Sequence, residues 1–261
     1  MPLVIVMPVS GPAVFAAPSL AALLTAAVAL VLPGHAHAAH PVLTEDAGTQ
    51  GAGRFELELG FQRTRDDGGR GFEFGPQFSW GVRDDLDVIV RPTWLDLSGD
   101  GTTSRGIGDT SLDGKWRFHE QGPFALGIRA GINVPTGSAA RGLGAGHAGF
   151  HGVLIVSWTG NALAFYANAG AIHVGSVPLE RRDLALVSVA VVWTVHQRLR
   201  LSAEIGTASN PDPERGTWPA VARFGAMVTV TPWLDVDAGY QTRRNHAAPE
   251  QTILAGATLR W

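Results

Sequence analysis

From Arg54 onward the chain alternates between apolar and polar positions. Phe55, Leu57, Leu59 and Phe61 fall on one face of an extended segment, and Glu56, Glu58 and Gln62 fall on the other. Lys115 and Arg117 alternate with Trp116 and Phe118, following Asp109, Ser111 and Asp113 set against Thr110 and Leu112. Arg200, Ser202 and Glu204 alternate with Leu199, Leu201, Ala203 and Ile205, and Asp235, Asp237 and Gln241 with Leu234, Val236, Ala238 and Tyr240. A period of two is the mark of strands with one apolar face. No comparably long stretch carries the 3.6-residue period of an amphipathic helix.

The pattern predicts an all-β chain with strands near 54–63, 71–82, 85–95, 106–118, 123–134, 147–158, 161–174, 182–194, 198–208, 218–230, 233–243 and 252–261. Each is close to the roughly 9–11 residues that a tilted strand needs to cross a bilayer. Short connections fall at Arg83-Asp84, His119 to Gly122, Thr159-Gly160, Val195 to Gln197 and Thr231-Pro232. Longer, Gly- and charge-rich ones fall at 64–70, 96–105, 135–146, 175–181, 209–217 and 244–251. Short turns on one side and long loops on the other predict an up-and-down antiparallel barrel of about twelve strands, in the bacterial outer membrane.

The aromatic residues sharpen this. Trp80, Trp158, Trp193, Trp233 and Trp261 sit beside short turns or at the C-terminus, and Trp94 and Trp218 beside long loops. Two girdles at the membrane–water interfaces are expected. The last strand ends on Trp261, which predicts a partner in the machinery that assembles such barrels. The alternative is a soluble sandwich or barrel, but a closed sheet with its polar face inward needs an apolar solvent outside.

The first 38 residues hold no Lys, Arg, Asp or Glu. The apolar run Leu20–Leu32, then Pro33-Gly34, then Ala36-His37-Ala38 has the layout of a secretory signal, although the positive n-region is missing. We therefore expect residues 1–38 to be removed and 39–261 to form the barrel domain. His35, His37 and His40 straddle the expected cut and make a poor metal cluster. The absence of cysteine from all 261 residues excludes disulfides and thiolate metal sites. A net charge of −3 without any basic run argues against nucleic acid as a partner, and no cofactor signature is present.

Several strings resemble the barrel family associated with the MetA pathway of phenol degradation, whose members are often described as transporters. They are Leu43-Thr44-Glu45-Asp46-Ala47-Gly48-Thr49-Gln50-Gly51 running on to Phe55-Glu56-Leu57-Glu58, and Gly106-Ile107-Gly108-Asp109 leading to Gly114-Lys115-Trp116-Arg117-Phe118. Val134-Pro135-Thr136-Gly137 with Arg141-Gly142-Leu143-Gly144, Glu204 to Asn210-Pro211-Asp212, and Leu254-Ala255-Gly256 to Leu259-Arg260-Trp261 complete the match. The resemblance spans the mature chain in order. It implies an outer-membrane barrel with a role in uptake of aromatic or hydrophobic compounds.

The inward faces supply candidate lumen residues: Glu56, Glu58, Asp87, Arg91, Asp109, Asp113, Lys115, Arg117, Arg129, Arg200, Glu204, Arg223, Asp235, Asp237, Arg243 and Arg260. Such a mixture can line a narrow wet pore, or pair across the lumen and close it. Strand order would set Arg91, Lys115, Arg117 and Arg129 as a basic wall facing an acidic wall of Glu56, Glu58, Asp235 and Asp237. Around 134–146 the Gly-rich loop has no helix after it, so a mobile outer loop is expected rather than a phosphate cradle. His147 and His151 would lie about 13 Å apart on one strand face, too far for one metal. A barrel hydrolase needs a Ser activated by His. The candidates His147, His173, Ser157 and Ser176 do not pair in the sequence pattern. Three functions follow: a channel for small solutes, a closed structural or adhesin-like barrel, and a hydrolase.

Overall fold

The computed structural model describes residues 41–99, 101–175 and 181–261. The expected signal segment and its histidines, with Ser176, lie outside the described residues. The strands are β1 (Phe55–Asp66), β2 (Gly69–Arg83), β3 (Leu86–Arg91), β4 (Trp94–Gly99), β5 (Thr102–Ile107), β6 (Thr110–Gln121), β7 (Phe124–Val134), β8 (Gly149–Thr159), β9 (Leu163–His173), β10 (Asp183–His196), β11 (Leu199–Ala208), β12 (Ala220–Thr231), β13 (Leu234–Arg243) and β14 (Gln251–Arg260). One short 3-10 turn spans Ala139–Arg141.

All neighbours pair antiparallel, and β1 pairs with both β2 and β14, which closes the sheet. Both β3 and β4 pair with β2, so they are two halves of one stave; β5 and β6 complete the next in the same way. Pro92 lacks the N–H a ladder needs, and the ladder stops there; Gly108 N bridges the gap to Thr93 O at 2.8 Å. The result is a closed barrel of twelve staves in meander order. At the seam Phe55 N donates to Trp261 O at 2.9 Å and Trp261 N to Phe55 O at 3.1 Å. The two rings lie 5.9 Å apart, so the last residue of the chain helps to close it.

Two expected loops are strand instead. The segments 64–70, 96–99 and 102–105 continue the ladder, with Thr64↔Gly71, Arg65↔Arg70 and Leu97↔Ser104 in register. Their charged residues were read as loop, yet alternation persists through them: Thr64 faces in and Arg63 and Arg65 face out.

The barrel is inside out relative to a soluble protein. Ile205 and Ile253 are each 58% exposed on the outer wall, whereas Arg129 is 1% exposed inside. Trp80, Trp158, Trp193, Trp233 and Trp261 ring the short-turn end, and Phe72, Trp94, Phe150, Trp218 and Tyr240 lie toward the other. An apolar belt of this extent between two aromatic rings is a lipid-contacting surface. On the short-turn side, Asp85 accepts from Arg83 Nε at 2.9 Å and from Trp116 Nε1 at 3.1 Å. The Arg83 hydrogen bond in particular holds its carboxyl below the usual range.

Candidate functional site: a chain segment inside the barrel

Residues 41–54, ahead of β1, do not hang below the barrel; they turn up into it. The chain reverses at Gly51 and Gly53, both at positive φ (86° and 74°), a conformation open to glycine. It passes so close to β2 that a Cβ on Gly81 would lie 1.9 Å from Gly51 O. From there the segment rises through Gln50, Thr49, Ala47, Glu45 and Thr44 to Pro41, near mid-height against β12 and β13. Gly225 and Gly239, paired across those strands, leave the space for Pro41; their Cβ atoms would meet it at 2.3 and 2.8 Å.

The segment has no ladder partner, so its backbone donors find wall side chains instead, as buried amides must. Gln50 N donates to both oxygens of Asp87 at 3.1 Å. Ala47 N donates to Ser157 Oγ at 2.8 Å, and Glu45 N to Asn168 Oδ1 at 2.6 Å. Leu43 N and Thr44 N divide the carboxylate of Glu204, at 2.8 and 2.9 Å. At the upper end Arg223 Nη1 donates to Pro41 O at 2.9 Å and its Nη2 to Gln241 Oε1 at 2.7 Å.

Most of the candidate lumen residues meet around this segment. Arg129 reaches Glu45 through Nη1, Gln77 Oε1 at 3.0 Å, and Asp113 Oδ2 at 2.6 Å. Lys115 Nζ lies 3.4 Å from Glu45 and 3.6 Å from Asp46. Arg260 joins Glu56 and Asp235, each at 2.8 Å, and Arg200 also reaches Asp235 at 2.8 Å. Arg91 pairs with Glu73 at 2.8 Å, and Gln77 donates to Glu58 at 2.6 Å. Asp237 is also engaged. Opposed basic and acidic walls are therefore not what forms: Arg129 and Lys115 meet the acids of the inserted segment, and Arg260 and Arg200 neutralise Asp235. Strand order alone hid this, because it contained no chain between the walls.

Three candidates sit at the rims. Arg117 donates to Asp84 O at 3.0 Å and pairs with Glu120 at 3.1 Å, at the short-turn end. Arg243 pairs with Asp67 at 3.2 Å, at the opposite end. Asp109 accepts Gly137 N at 3.0 Å and Ala145 N at 2.8 Å, tying the 135–148 loop down, with Leu143 1% exposed beneath it. That loop packs on the barrel mouth rather than standing free.

Sequence reasoning passed over Asn168 and Glu73, took Thr44, Glu45 and Asp46 only as part of a family string, and weighed Ser157 and His151 only as nucleophile and metal-ligand candidates, not as lumen residues. His151 Nε2 lies 2.7 Å from Asp113 Oδ1 in the lumen, on the wall side of the Arg129 cluster. A usable signal existed: Gly127, Gly225 and Gly239 occupy inward positions where only another chain would need the room. Ser157, a candidate nucleophile, accepts from Ala47, and His173 pairs at 2.7 Å with Asp183 on the outer rim.

The segment divides the interior. Toward the loops opens a cavity whose apolar lining includes Leu95, Leu97, Leu186, Val221 and Pro249, with Leu43 from the segment, beside polar Gln62, Glu73, Asn168, Arg223 and Gln241. A more polar cavity, lined by Glu56, Glu58, Asp87, Lys115 and Arg129, runs beside the segment and meets the first at Leu43, Gln62, Glu73 and Arg223.

A closed barrel with an apolar exterior, a charged interior and an inserted segment defines a transmembrane β-barrel of the outer-membrane class. The chain matches, over residues 38–261, the family model described as "Putative MetA-pathway of phenol degradation", and it belongs to that family. In fold it is similar to the COG4313 outer membrane channel from Pseudomonas putida F1, with a TM-score of 0.66, 13% identity, and 83% of this chain and 98% of that one covered. It is also similar to the KdgM porin in complex with disordered oligogalacturonate, with a TM-score of 0.55, 7% identity, and 77% and 98% covered. No curated protein sequence matches it significantly.

Proposed function

We propose that this barrel is an outer-membrane channel for small apolar or aromatic solutes, which collect in the outer cavity and pass when the inserted segment moves aside. The observation that carries the reading is the apolar lining of the outer cavity, to which the segment adds Leu43. A pore for simple ions would have no use for a mouth of Leu95, Leu97 and Leu186. Burying apolar surface there favours a hydrophobic guest by roughly 25 cal/mol per Å². The charged lumen groups then act on the segment as much as on the solute, holding it by many hydrogen bonds, each individually breakable.

In this reading residues 1–38 are a cleaved signal, Trp261 is read by the assembly machinery, and the barrel has no catalytic role. The pairing of Ser157 with Ala47 and of His173 with Asp183 supports the last point. The test is uptake of a small aromatic probe into protein-loaded liposomes. Leu97→Glu should lower it several-fold with little effect on folding, since Leu97 lines the cavity. A correctly folded protein that passes neither aromatic probes nor ions would favour the closed, structural reading.

A further inference from the structure

The outer wall carries a second feature that transport does not use. On β1, Gln62 and Thr64 line the outer cavity, so by alternation Arg63 and Arg65 face outward. On β2, Gly71 and Glu73 line the same cavity, so Arg70 faces outward too. All three are exposed. Arg65 stands directly across the ladder from Arg70, and Arg63 across from Phe72. Like charges directly opposite on one face are destabilising, and among the described residues no ion pair relieves this one.

Nearby acids are engaged elsewhere. Asp96 takes Arg105 at 2.6 Å, Asp67 takes Arg243 at 3.2 Å, and Asp66 accepts the backbone N–H of Asp67 at 2.9 Å. Among the described residues Arg63, Arg65 and Arg70 make no ion pair. Their height is informative. Arg63 lies one outward position beyond Phe61, about 7 Å along the strand, and Phe61, Phe72 and Trp94 form the aromatic ring at that interface. The guanidinium groups therefore stand at the level of lipid head groups on the loop side, the outer leaflet, and they point into the lipid rather than the lumen.

We propose that Arg63, Arg65 and Arg70 form a binding site for the phosphate groups of an outer-leaflet glycolipid. Guanidinium groups bind phosphate oxygens bidentately, and an anion between Arg65 and Arg70 turns their repulsion into two attractive contacts. The acyl chains of such a lipid lie against Phe61, one outward position below Arg63, and against Phe72 and Ile253, which flank Arg63 on the neighbouring strands.

The site is tested on the full-length protein in non-ionic detergent, titrated with lipid A carrying two phosphates and with its dephosphorylated form, with binding read by native mass spectrometry. The wild type should prefer the phosphorylated lipid at least tenfold. The triple variant Arg63→Gln/Arg65→Gln/Arg70→Gln should lose that preference, and Arg83→Gln, at the opposite rim, should keep it. Equal binding of both lipids by the wild type overturns the proposal, as does a preference surviving in the triple variant. If the triple variant does not fold, the wild-type comparison of the two lipids decides alone. Displacement of the lipid by a few millimolar inorganic phosphate would assign the site to a free anion and overturn the lipid reading. Aromatic uptake plays no part in these readouts, so they stand or fall apart from the transport function.

Discussion

One oxygen of Glu204 receives both the backbone N–H and the hydroxyl of Thr44, at 2.9 and 2.7 Å. With Leu43 N on the other oxygen, a single wall carboxylate holds the middle of the inserted segment. Hydrogen bonds to a charged group contribute about 1.5–3 kcal/mol each. Glu204→Ala should therefore raise the population of the displaced segment, and single-channel conductance in planar bilayers should increase several-fold. Conductance equal to the wild type in a correctly folded variant would mean that the segment does not gate the lumen.

Arg129 sits at the other anchor, between Asp113 on the wall and Glu45 on the segment. Its removal leaves Asp113 buried with His151 and leaves Glu45 to Lys115 alone, at 3.4 Å. Breaking such a pair costs about 3–5 kcal/mol, so Arg129→Met should lower resistance to urea in lipid vesicles by that amount. Arg215→Met, which removes an exposed pair with Asp212 at 3.1 Å, should change it by less than about 1 kcal/mol. Equal effects would remove the special weight assigned to the buried cluster.

The barrel itself was legible because lipid and lumen impose alternation: Leu201 and Ile205 against Ser202 and Glu204 state the two faces outright. The segments 64–70, 96–99 and 102–105 were misread because Gly and charged residues mark loops in most settings, and here they mark strands rising past the bilayer. The inserted segment was not legible. Leu43 to Gly51 has no periodicity, since its hydrogen bonds go to side chains and not to a ladder. Each lumen charge looked like a pore lining because its partner lay in that segment. Only the inward glycines, Gly225 and Gly239 above all, carried a trace of it.

The face assignment has a direct test, and the inserted segment changes its expected result. Ile205 is 58% exposed on the outer wall and pairs with Val189 and Ala222, well above the Trp193 ring, so Ile205→Arg should cost roughly 2–4 kcal/mol. Ser202 faces inward, and its hydroxyl borders the space that Pro41 enters beside Gly225. Ser202→Arg should let the barrel fold but displace the segment, giving higher conductance with little loss of stability. Similar destabilisation by both changes, measured by folding into vesicles, would sink the assignment.

Asp109 offers the same logic at the mouth. Its two oxygens hold Gly137 N and Ala145 N, which pins the loop that carries exposed Arg141. Asp109→Ala removes both acceptors, and at about 1.5–3 kcal/mol per charged hydrogen bond the loop should open at least tenfold more often. Trypsin cleavage after Arg141 should accelerate accordingly. Gly144→Ala should have the same effect without a change of charge, because its Cβ would lie 2.3 Å from Asp109 Oδ1. Cleavage unchanged in both variants would mean that the loop is held by the burial of Leu143 and by Thr136, whose hydroxyl donates to Gly108 O at 2.8 Å, and that Asp109 contributes nothing to closing the mouth.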